Sequence, residues 1–229
     1  MLPLTILITW VFAAFAWSVY KLFNLFCRVF MRLEVNGREN LDAAAGRAPA
    51  YLICPNHQSF LDPFVLCSSY RYGLFKRIFH VGASEFFEGA LMRNVAKLLN
   101  VVPVNPDTEL MRAMKAGAIG LKNGRVLNIY PEGERAFDGE LHAFKKGAAI
   151  LATELDLPIV PVAMDGLYKV WARRSWKIRP AKVKMMIGEP FYAKDILAAS
   201  SSASGEDAYG LVTAHLKQTI SDMIDEMRK

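Results

Sequence analysis

Seven short apolar segments alternate with segments of helical periodicity along most of the chain. The apolar segments span residues 33–35, 51–54, 78–81, 101–104, 126–130, 159–163 and 183–187. Helical patterns occupy residues 63–70, 86–99, 108–122 and 145–154, and a final helix carries an apolar face of Val212, Leu216, Ile220, Met223 and Met227. This alternation predicts an α/β fold in which about seven strands form a mostly parallel sheet flanked by helices.

The first 20 residues contain no charged side chain. As a helix they would be about 30 Å long, which is the thickness of the hydrocarbon core of a bilayer. Trp17 and Tyr20 end this segment, and Lys21, Arg28 and Arg32 follow, which is the order expected at a cytoplasmic membrane interface. A cleaved secretory signal is the alternative, but its basic residues would precede the apolar run. We therefore expect a retained membrane anchor.

An amphipathic helix is predicted directly after this anchor. Lys21, Asn24, Arg28 and Arg32 recur at helical spacing, and the rest of the surface is mainly leucine, phenylalanine and valine. Such a helix can lie among lipid headgroups with its charges against phosphates, or it can pack on the folded domain. We divide the chain into a membrane-anchoring segment, residues 1–32, and an α/β domain at 33–229. We expect localisation at the cell membrane with the domain on the cytoplasmic side.

Composition narrows the classes of partner. Lysine and arginine number 28 against 22 aspartate and glutamate, so the net charge is +6 and anionic partners are favoured. Nucleic acid is not expected, because the basic residues are scattered and no recognised binding motif is present. Cys27, Cys54 and Cys67 are too few and too scattered for a disulfide scaffold or a zinc site. We expect neither a metal nor a cofactor.

Polar residues whose side chains could take part in catalysis or binding follow two of the predicted strands. Ligands of parallel sheets bind beyond the carboxyl ends of the strands, so these positions are candidates for a site. A neutral histidine there is a suitable general base near pH 7, and a carboxylate on its other nitrogen fixes the tautomer. The candidate residues are Asn56, His57, Asp62, Glu132, Gly133 and Arg135.

His57 and Asp62 can meet only if the segment between them turns. On a straight helix, two residues five positions apart diverge by about 140°. Pro63 favours a helix that begins at Asp62, which leaves His57 in the preceding loop. Spacing alone leaves two interpretations open: a catalytic pair, or an Asp62 that only caps a helix beside a structural His57.

The other candidates have simpler interpretations. Arg135 lies just past a strand, where a guanidinium group can bind phosphate with two hydrogen bonds, and Gly133 permits close backbone approach. Ser59 and Cys54 are possible nucleophiles, but neither has the strand–nucleophile–helix setting of a hydrolase, so covalent catalysis is not expected. The remaining histidines are interpreted as bystanders: His80, His142 and His215.

Three motifs in the right order resemble the glycerolipid acyltransferase family, typified by the 1-acylglycerol-3-phosphate acyltransferases. The first family motif, Asn-His-x4-Asp, is matched by Asn56, His57 and Asp62. The third, Phe-Pro-Glu-Gly-Thr-Arg-Ser, is similar to residues 130–136, and the fourth, a Val-Pro-Val-Val-Pro-Val strand, is similar to residues 157–162.

The resemblance covers roughly residues 33–190 and includes two departures. The second family motif normally ends in an arginine thought to hold substrate phosphate, and the matching residues 102–107 contain no arginine. Glu134 and Ala136 replace the usual threonine and serine of the third motif.

The resemblance implies transfer of a fatty acyl group from a thioester, acyl-CoA or acyl-carrier protein, to the free hydroxyl of a lysophospholipid. The acceptor it implies first is 1-acylglycerol 3-phosphate, which gives phosphatidic acid. His57 would be the general base and Asp62 its orienting partner. Membrane lipids, the acceptor and the donor are the expected partners. An acceptor with another head group, a lipid hydrolase and a non-catalytic lipid-binding protein remain alternatives. The implied substrate-binding residues are Asn56, Glu132, Gly133 and Arg135.

Overall fold

A computed structural model of the chain describes residues 18, 21–22, 24–83, 89–98, 100–104, 110–200 and 207–229. Its strands are β1 (Glu34–Asn36), β2 (Leu52–Pro55), β3 (Ile78–Ala83), β4 (Val101–Val104), β5 (Val126–Asn128), β6 (Ile159–Asp165) and β7 (Lys184–Ile187). They form one seven-stranded sheet in the order β1-β7-β6-β2-β5-β3-β4. Among these seven strands of the described residues, β6 and β7 pair antiparallel and every other neighbouring pair is parallel. The predicted α/β class with a mostly parallel sheet is confirmed.

The described helices precede, connect and follow these strands. They are α1 (24–30), α2 (Glu39–Arg47), α3 (Asp62–Ser69), α4 (Tyr72–Arg77), α5 (Ala90–Leu98), α6 (Leu110–Lys122), α7 (Gly147–Glu154), α8 (Leu167–Val170), α9 (Ala193–Ala199) and α10 (Ala208–Arg228). The helices predicted at 86–99 and 108–122 correspond to α5 and α6, and their predicted starts lie outside the described residues. Four short helices, α2, α4, α8 and α9, were not predicted.

Each face of the sheet carries its own hydrophobic core. In β2, Ile53 points into one core, whereas Leu52 and Cys54 point into the other, and in β6 Val162 and Ala163 divide in the same way. Residues of α1, α2, α3 and α8 contribute to the first core, and residues of α6, α7, α9 and α10 to the second. Because both faces are covered, the central strands read in sequence as continuous apolar runs.

The C-terminal helix α10 covers β6 and lies against α7 and α9. Asp207 precedes it and accepts a hydrogen bond from the Gly210 N–H at 3.2 Å, so the helix begins with a side-chain cap. The predicted apolar face is confirmed, since its five residues are all buried: Val212, Leu216, Ile220, Met223 and Met227.

Helix α1 packs on the α/β domain through one side. Cys27 and Met31 are fully buried in the first core. Asn24 donates its side-chain amide to the Ser68 carbonyl, so the predicted polar stripe is split: Asn24 faces the domain, whereas Arg28 stays exposed.

The predicted membrane anchor, residues 1–20, lies outside the described residues apart from residue 18. Within the described part of the chain, no helix combines the length and apolar character needed to cross a bilayer. The anchor therefore stays a prediction from sequence.

Candidate active site

Asn56 fixes the end of β2 against β6. Its side-chain amide donates to the Met164 carbonyl at 2.9 Å, and its side-chain oxygen accepts from the Met164 N–H at 2.7 Å. The Asn56 N–H also donates to the Val162 carbonyl. Asn56 is 3% exposed. The Asn56 side-chain amide thus takes the place of a backbone pair in the β-ladder. Its NH₂ group and its oxygen each have a hydrogen-bond partner within the protein.

The chain turns directly after Asn56 and brings His57 and Asp62 into contact. His57 Nδ1 lies 2.6 Å from Asp62 Oδ2, and that oxygen also accepts from the N–H groups of Gln58 at 2.6 Å and Ser59 at 2.9 Å. Helix α3 begins at Asp62, but the hydrogen bonds of the carboxylate among the described residues all go to residues before the helix. It reaches back to the loop instead, so the interpretation of Asp62 as only a helix cap is excluded.

The two side chains of this pair differ in burial. The Asp62 side chain is 0% exposed and that of His57 is 18% exposed. A carboxylate at Nδ1 holds the proton on that nitrogen, which leaves the lone pair on Nε2. The Tyr130 ring stacks on the imidazole, with ring centroids 3.9 Å apart and planes 20° apart. The pair is therefore oriented by a buried charge and an aromatic ring, as a general base requires.

Glu132 joins the two loops that carry the candidate residues. One carboxylate oxygen accepts from the His57 N–H at 2.7 Å, and the other accepts from the His142 N–H at 3.1 Å. Burial raises the pKa of Glu132 above its ordinary value, and the two N–H donors oppose that shift. Each oxygen accepts one backbone hydrogen bond, so Glu132 holds the two loops together.

Gly133 and Arg135 lie in the same loop, which follows β5. Gly133 has a φ of +77°, a left-handed conformation that other residues adopt at a cost. The Arg135 guanidinium lies 5.9 Å from the centre of the Phe60 ring. Burial lowers the pKa of Arg135, and the neighbouring positive charge of Arg173 lowers it further.

The two possible nucleophiles, Ser59 and Cys54, are both buried. The Ser59 hydroxyl is buried and donates to the Trp171 carbonyl at 2.8 Å. Cys54 is fully buried, and burial raises the pKa of its thiol far above the ordinary value. Both observations agree with the sequence-based expectation.

Two of the other histidines have specific partners. His80 is buried, with Nδ1 2.9 Å from the Asn128 side-chain nitrogen. His142 pairs with Asp138 at 2.8 Å, but both side chains are substantially exposed, at 32% and 44%. Among the described residues, a histidine–aspartate contact therefore occurs twice, and of these two pairs only that of His57 has a buried carboxylate.

The sequence analysis missed the segment that follows α8. Arg173 donates to a Glu134 carboxylate oxygen at 2.9 Å and to the Arg135 carbonyl at 2.9 Å. The segment lines a small cavity together with Phe60 and Arg135, and Arg174 is one of its lining residues. The one available signal was the run of aromatic and basic residues after the strand at 159–163, which the motifs did not include.

Residues 32–165 match the family model described as Acyltransferase. The chain is 30% identical over 190 residues to the chloroplastic 1-acyl-sn-glycerol-3-phosphate acyltransferase BAT2 of Brassica napus, covering 80% of this chain and 53% of the relative. It is 29% identical over 168 residues to a 1-acyl-sn-glycerol-3-phosphate acyltransferase of Pseudomonas aeruginosa, covering 72% of this chain and 61% of the relative. The chain thus spans about half the length of the plant relative and less than two thirds of the bacterial one.

The fold is similar to a solved structure as well. The crystal structure of the 1-acyl-sn-glycerophosphate acyltransferase PlsC from Thermotoga maritima superposes with a TM-score of 0.70 at 22% sequence identity. The match covers 93% of this chain and 81% of that chain. At this identity the likeness shows a shared fold.

Proposed function

The chain belongs to the acyltransferase family, and we propose that it moves a fatty acyl group from an acyl thioester to the free hydroxyl of a lysophospholipid. The acceptor proposed first is 1-acylglycerol 3-phosphate, because the relatives' names specify it. One observation carries the proposal: the 2.6 Å contact between His57 Nδ1 and the buried Asp62 Oδ2, just beyond the carboxyl end of β2.

The chemistry requires a base and no covalent intermediate, because a thioester is already activated. His57 Nε2 takes the proton of the acceptor hydroxyl as its oxygen attacks the thioester carbonyl. The resulting tetrahedral oxyanion collapses, the carbon–sulfur bond breaks, and the leaving thiolate takes the proton back from the imidazolium. Asp62 stabilises that imidazolium and keeps the ring in the required tautomer. The products are a diacylated lipid and a free thiol, from acyl-CoA or acyl-carrier protein.

The remaining candidate residues divide into two roles in this proposal. Arg135 binds the acceptor's head group, and Gly133 allows the loop its left-handed turn. Asn56 and Glu132 position the loops, because their polar groups bond to backbone rather than pointing at a substrate. The sequence-based expectation was that all four bind the substrate, and direct binding by Asn56 and Glu132 is not part of this proposal.

Membrane binding through the N-terminal segment is part of the same proposal. Leu22 and three residues of α1 expose large apolar side chains, and the basic residues Lys21 and Arg28 of the same stretch are exposed as well. Apolar side chains flanked by positive charge suit an anionic lipid surface. We expect the catalytic domain on the cytoplasmic side of the cell membrane. The exposed apolar residues are Leu22 (67%), Leu25 (58%), Phe26 (44%) and Val29 (71%).

An acceptor panel tests the proposed reaction. The protein is incubated with acyl-CoA and each of several lysophospholipids, and thiol release and lipid products are followed by colorimetry and mass spectrometry. We expect rapid thiol release only with an acceptor, a diacyl product, and a loss of about 10²- to 10⁴-fold in His57→Ala. Free fatty acid without an acceptor would favour a hydrolase, and a folded protein with no turnover would favour a lipid-binding role.

Fractionation tests the membrane assignment independently of activity. Wild type and His57→Ala should both remain in the membrane pellet after a wash at about 1 M salt, where screening weakens surface electrostatics, and should need detergent for release. Recovery of the protein in the salt wash would contradict an apolar anchor and leave the catalytic proposal standing.

A further inference from the structure

Large apolar side chains are exposed in the 171–182 segment, the irregular stretch of chain between α8 and β7. Trp176 is 84% exposed and Ile178 is 51% exposed. Lys177 lies over the Trp176 ring, with Nζ 5.2 Å from the ring centre. Because a tryptophan ring in solvent buries little apolar surface, the stability of the fold does not account for it. Clustered exposed apolar side chains mark surfaces that meet a partner or a membrane.

The same segment is strongly basic. It contains five lysine or arginine residues and no aspartate or glutamate. Two of the five have acidic partners, since Arg173 pairs with Glu134 at 2.9 Å and Lys182 with Glu34 at 2.8 Å. The other three are exposed and form no ion pair with any residue in the described ranges. They can therefore meet an anionic surface without giving up such a pair. These three residues are Arg174, Lys177 and Arg179.

Hydrogen bonds place this segment next to α1. The Val183 N–H donates to the Met31 carbonyl at 2.9 Å, and Met31 directly follows α1. The Arg179 N–H donates to the Val170 carbonyl at 2.9 Å. Val170 and Val183, which flank the segment, are both buried in the first core, on the face of the sheet that α1 covers. The exposed side chains of the segment and those of α1 therefore belong to one side of the molecule.

The start of the segment is held against the loop that carries the candidate base. The Ser59 hydroxyl, two residues after His57, donates to the Trp171 carbonyl at 2.8 Å. The Trp171 indole N–H donates in turn to the Ser175 carbonyl at 2.6 Å, next to Trp176. A surface in contact with Trp176 would therefore lie close to the loop that carries the base.

The combination of side chains favours a lipid surface over an acidic protein or a nucleic acid. Tryptophan is enriched where membranes meet water, because its ring is apolar and its N–H is polar. Residues 176–179 alternate apolar and basic side chains, which suits a layer that offers acyl chains and anionic headgroups together. The adjoining apolar side chains of α1 extend the same surface. An acidic protein would match only the charge.

We propose that residues 174–179 form a second lipid-contacting element, separate from the N-terminal segment, that docks the domain on an anionic bilayer. Trp176 and Ile178 enter the headgroup layer, and Lys177 and Arg179 lie against its negative charge. Docking at this position holds the His57 loop at the bilayer surface, so that an acceptor can react without leaving the membrane. This last step rests on the proposed acyl transfer, whereas the docking itself does not. The element lies beyond residues 32–165, which the family model matches.

Fluorescent labels at two matched isoleucines test the docking directly. Ile178→Cys and Ile119→Cys are made separately in the full-length protein, and each new thiol carries an environment-sensitive dye. Ile119 is 52% exposed and lies on α6, which packs on the second core at the other face of the sheet. The three native cysteines are buried, which protects them from the reagent. The probe is a vesicle of phosphatidylcholine and phosphatidylglycerol that contains a lipid with a nitroxide quencher near its headgroup.

We expect the quencher to reduce the fluorescence of the label at position 178 at least about threefold more than that of the label at position 119. Replacing phosphatidylglycerol by phosphatidylcholine should weaken this quenching. Equal quenching at the two positions, or quenching that does not depend on anionic lipid, would overturn the proposal. A label at position 178 that responds to an acidic carrier protein and not to anionic vesicles would also overturn it.

Activity with two forms of the acceptor tests the consequence for catalysis. Trp176→Ala should raise the KM for lysophosphatidate in vesicles at least about threefold, and leave the KM for a short-chain acceptor below its micelle concentration within about twofold. Met111→Ala is the control, because Met111 is 81% exposed and lies on α6. An equal rise for both acceptors would overturn the docking role. Failure of the proposed function is distinguishable, because quenching is measured without turnover.

Discussion

Asp62→Asn is the substitution whose effect the geometry specifies most closely. Asp62 Oδ2 accepts from His57 Nδ1, the Gln58 N–H and the Ser59 N–H. Because two of these donors are backbone N–H groups, an asparagine must place its oxygen at that position, since the reverse orientation sets an NH₂ group against them. The three hydrogen bonds and the His57 tautomer are then kept, and only the negative charge is lost.

The lost charge matters when His57 carries the proton. Two unit charges about 4 Å apart attract by roughly 4 kcal/mol at an effective dielectric constant of about 20. Since each 1.4 kcal/mol is about tenfold in rate, we expect kcat to fall by about 10²- to 10³-fold. The new NH₂ occupies the position of Asp62 Oδ1, which has no hydrogen-bond partner among the described residues. We therefore also expect the free energy of unfolding to fall by about 1–3 kcal/mol.

The assay is thiol release from acyl-CoA with saturating lysophosphatidate, with urea unfolding measured in parallel. Asp138→Asn is the matched control, because Asp138 also pairs with a histidine, His142, at 2.8 Å, but its side chain is 44% exposed. We expect this control to retain kcat within about twofold, because exposed charge pairs contribute little. The reasoning is refuted if Asp62→Asn stays within threefold of wild type or if the control loses as much activity.

Gly120→Ala should lower the free energy of unfolding by about 1–3 kcal/mol, because its Cβ would lie 2.2 Å from the Phe79 ring. Gly46→Ala is the control: a Cβ there would have nothing within 4 Å, so it should be neutral or slightly stabilising. Equal urea midpoints for the two variants would contradict this. Burial lowers the pKa of His80 to about 4, so the unfolded chain binds more protons between about pH 6.5 and 4, and stability falls by up to about 3 kcal/mol as the pH drops through that window. The free energy of unfolding of His80→Gln, measured at both ends of this pH window, should depend much less on pH than that of wild type. An unchanged pH dependence in the variant would refute this assignment. Ser59→Ala should keep kcat within about tenfold, and detection of an acyl-enzyme by intact-protein mass spectrometry in wild type would contradict the direct mechanism.

The sheet and the candidate pair could be predicted from sequence because their signals are local. Buried strands produce continuous apolar runs, and all seven predicted strands occur in the structure with ends that differ by at most two residues. The turn between His57 and Asp62 was predictable because Pro63 fixes where the helix begins. Helices such as α8, with four residues, are too short to show a periodic pattern.

The contacts that position the site could not be predicted from spacing. Asn56 bonds to a residue 108 positions away, and Glu132 accepts from His57 across 75 positions. Arg173 meets Glu134 across 39 positions, in an irregular segment between β6 and β7. Sequence analysis found no arginine at 102–107, and only the fold shows that Arg173 and Arg174 lie beside the Arg135 loop.

The most direct test of the central claim is a double-mutant cycle on His57 and Asp62, measured as single-turnover thiol release from acyl-CoA with lysophosphatidate. If Asp62 acts only through the imidazole, Asp62→Asn should cost about 10²- to 10³-fold in wild type and almost nothing in a His57→Ala background. Losses that multiply in the double mutant would show that the two residues act independently, and would contradict a base oriented by a buried carboxylate.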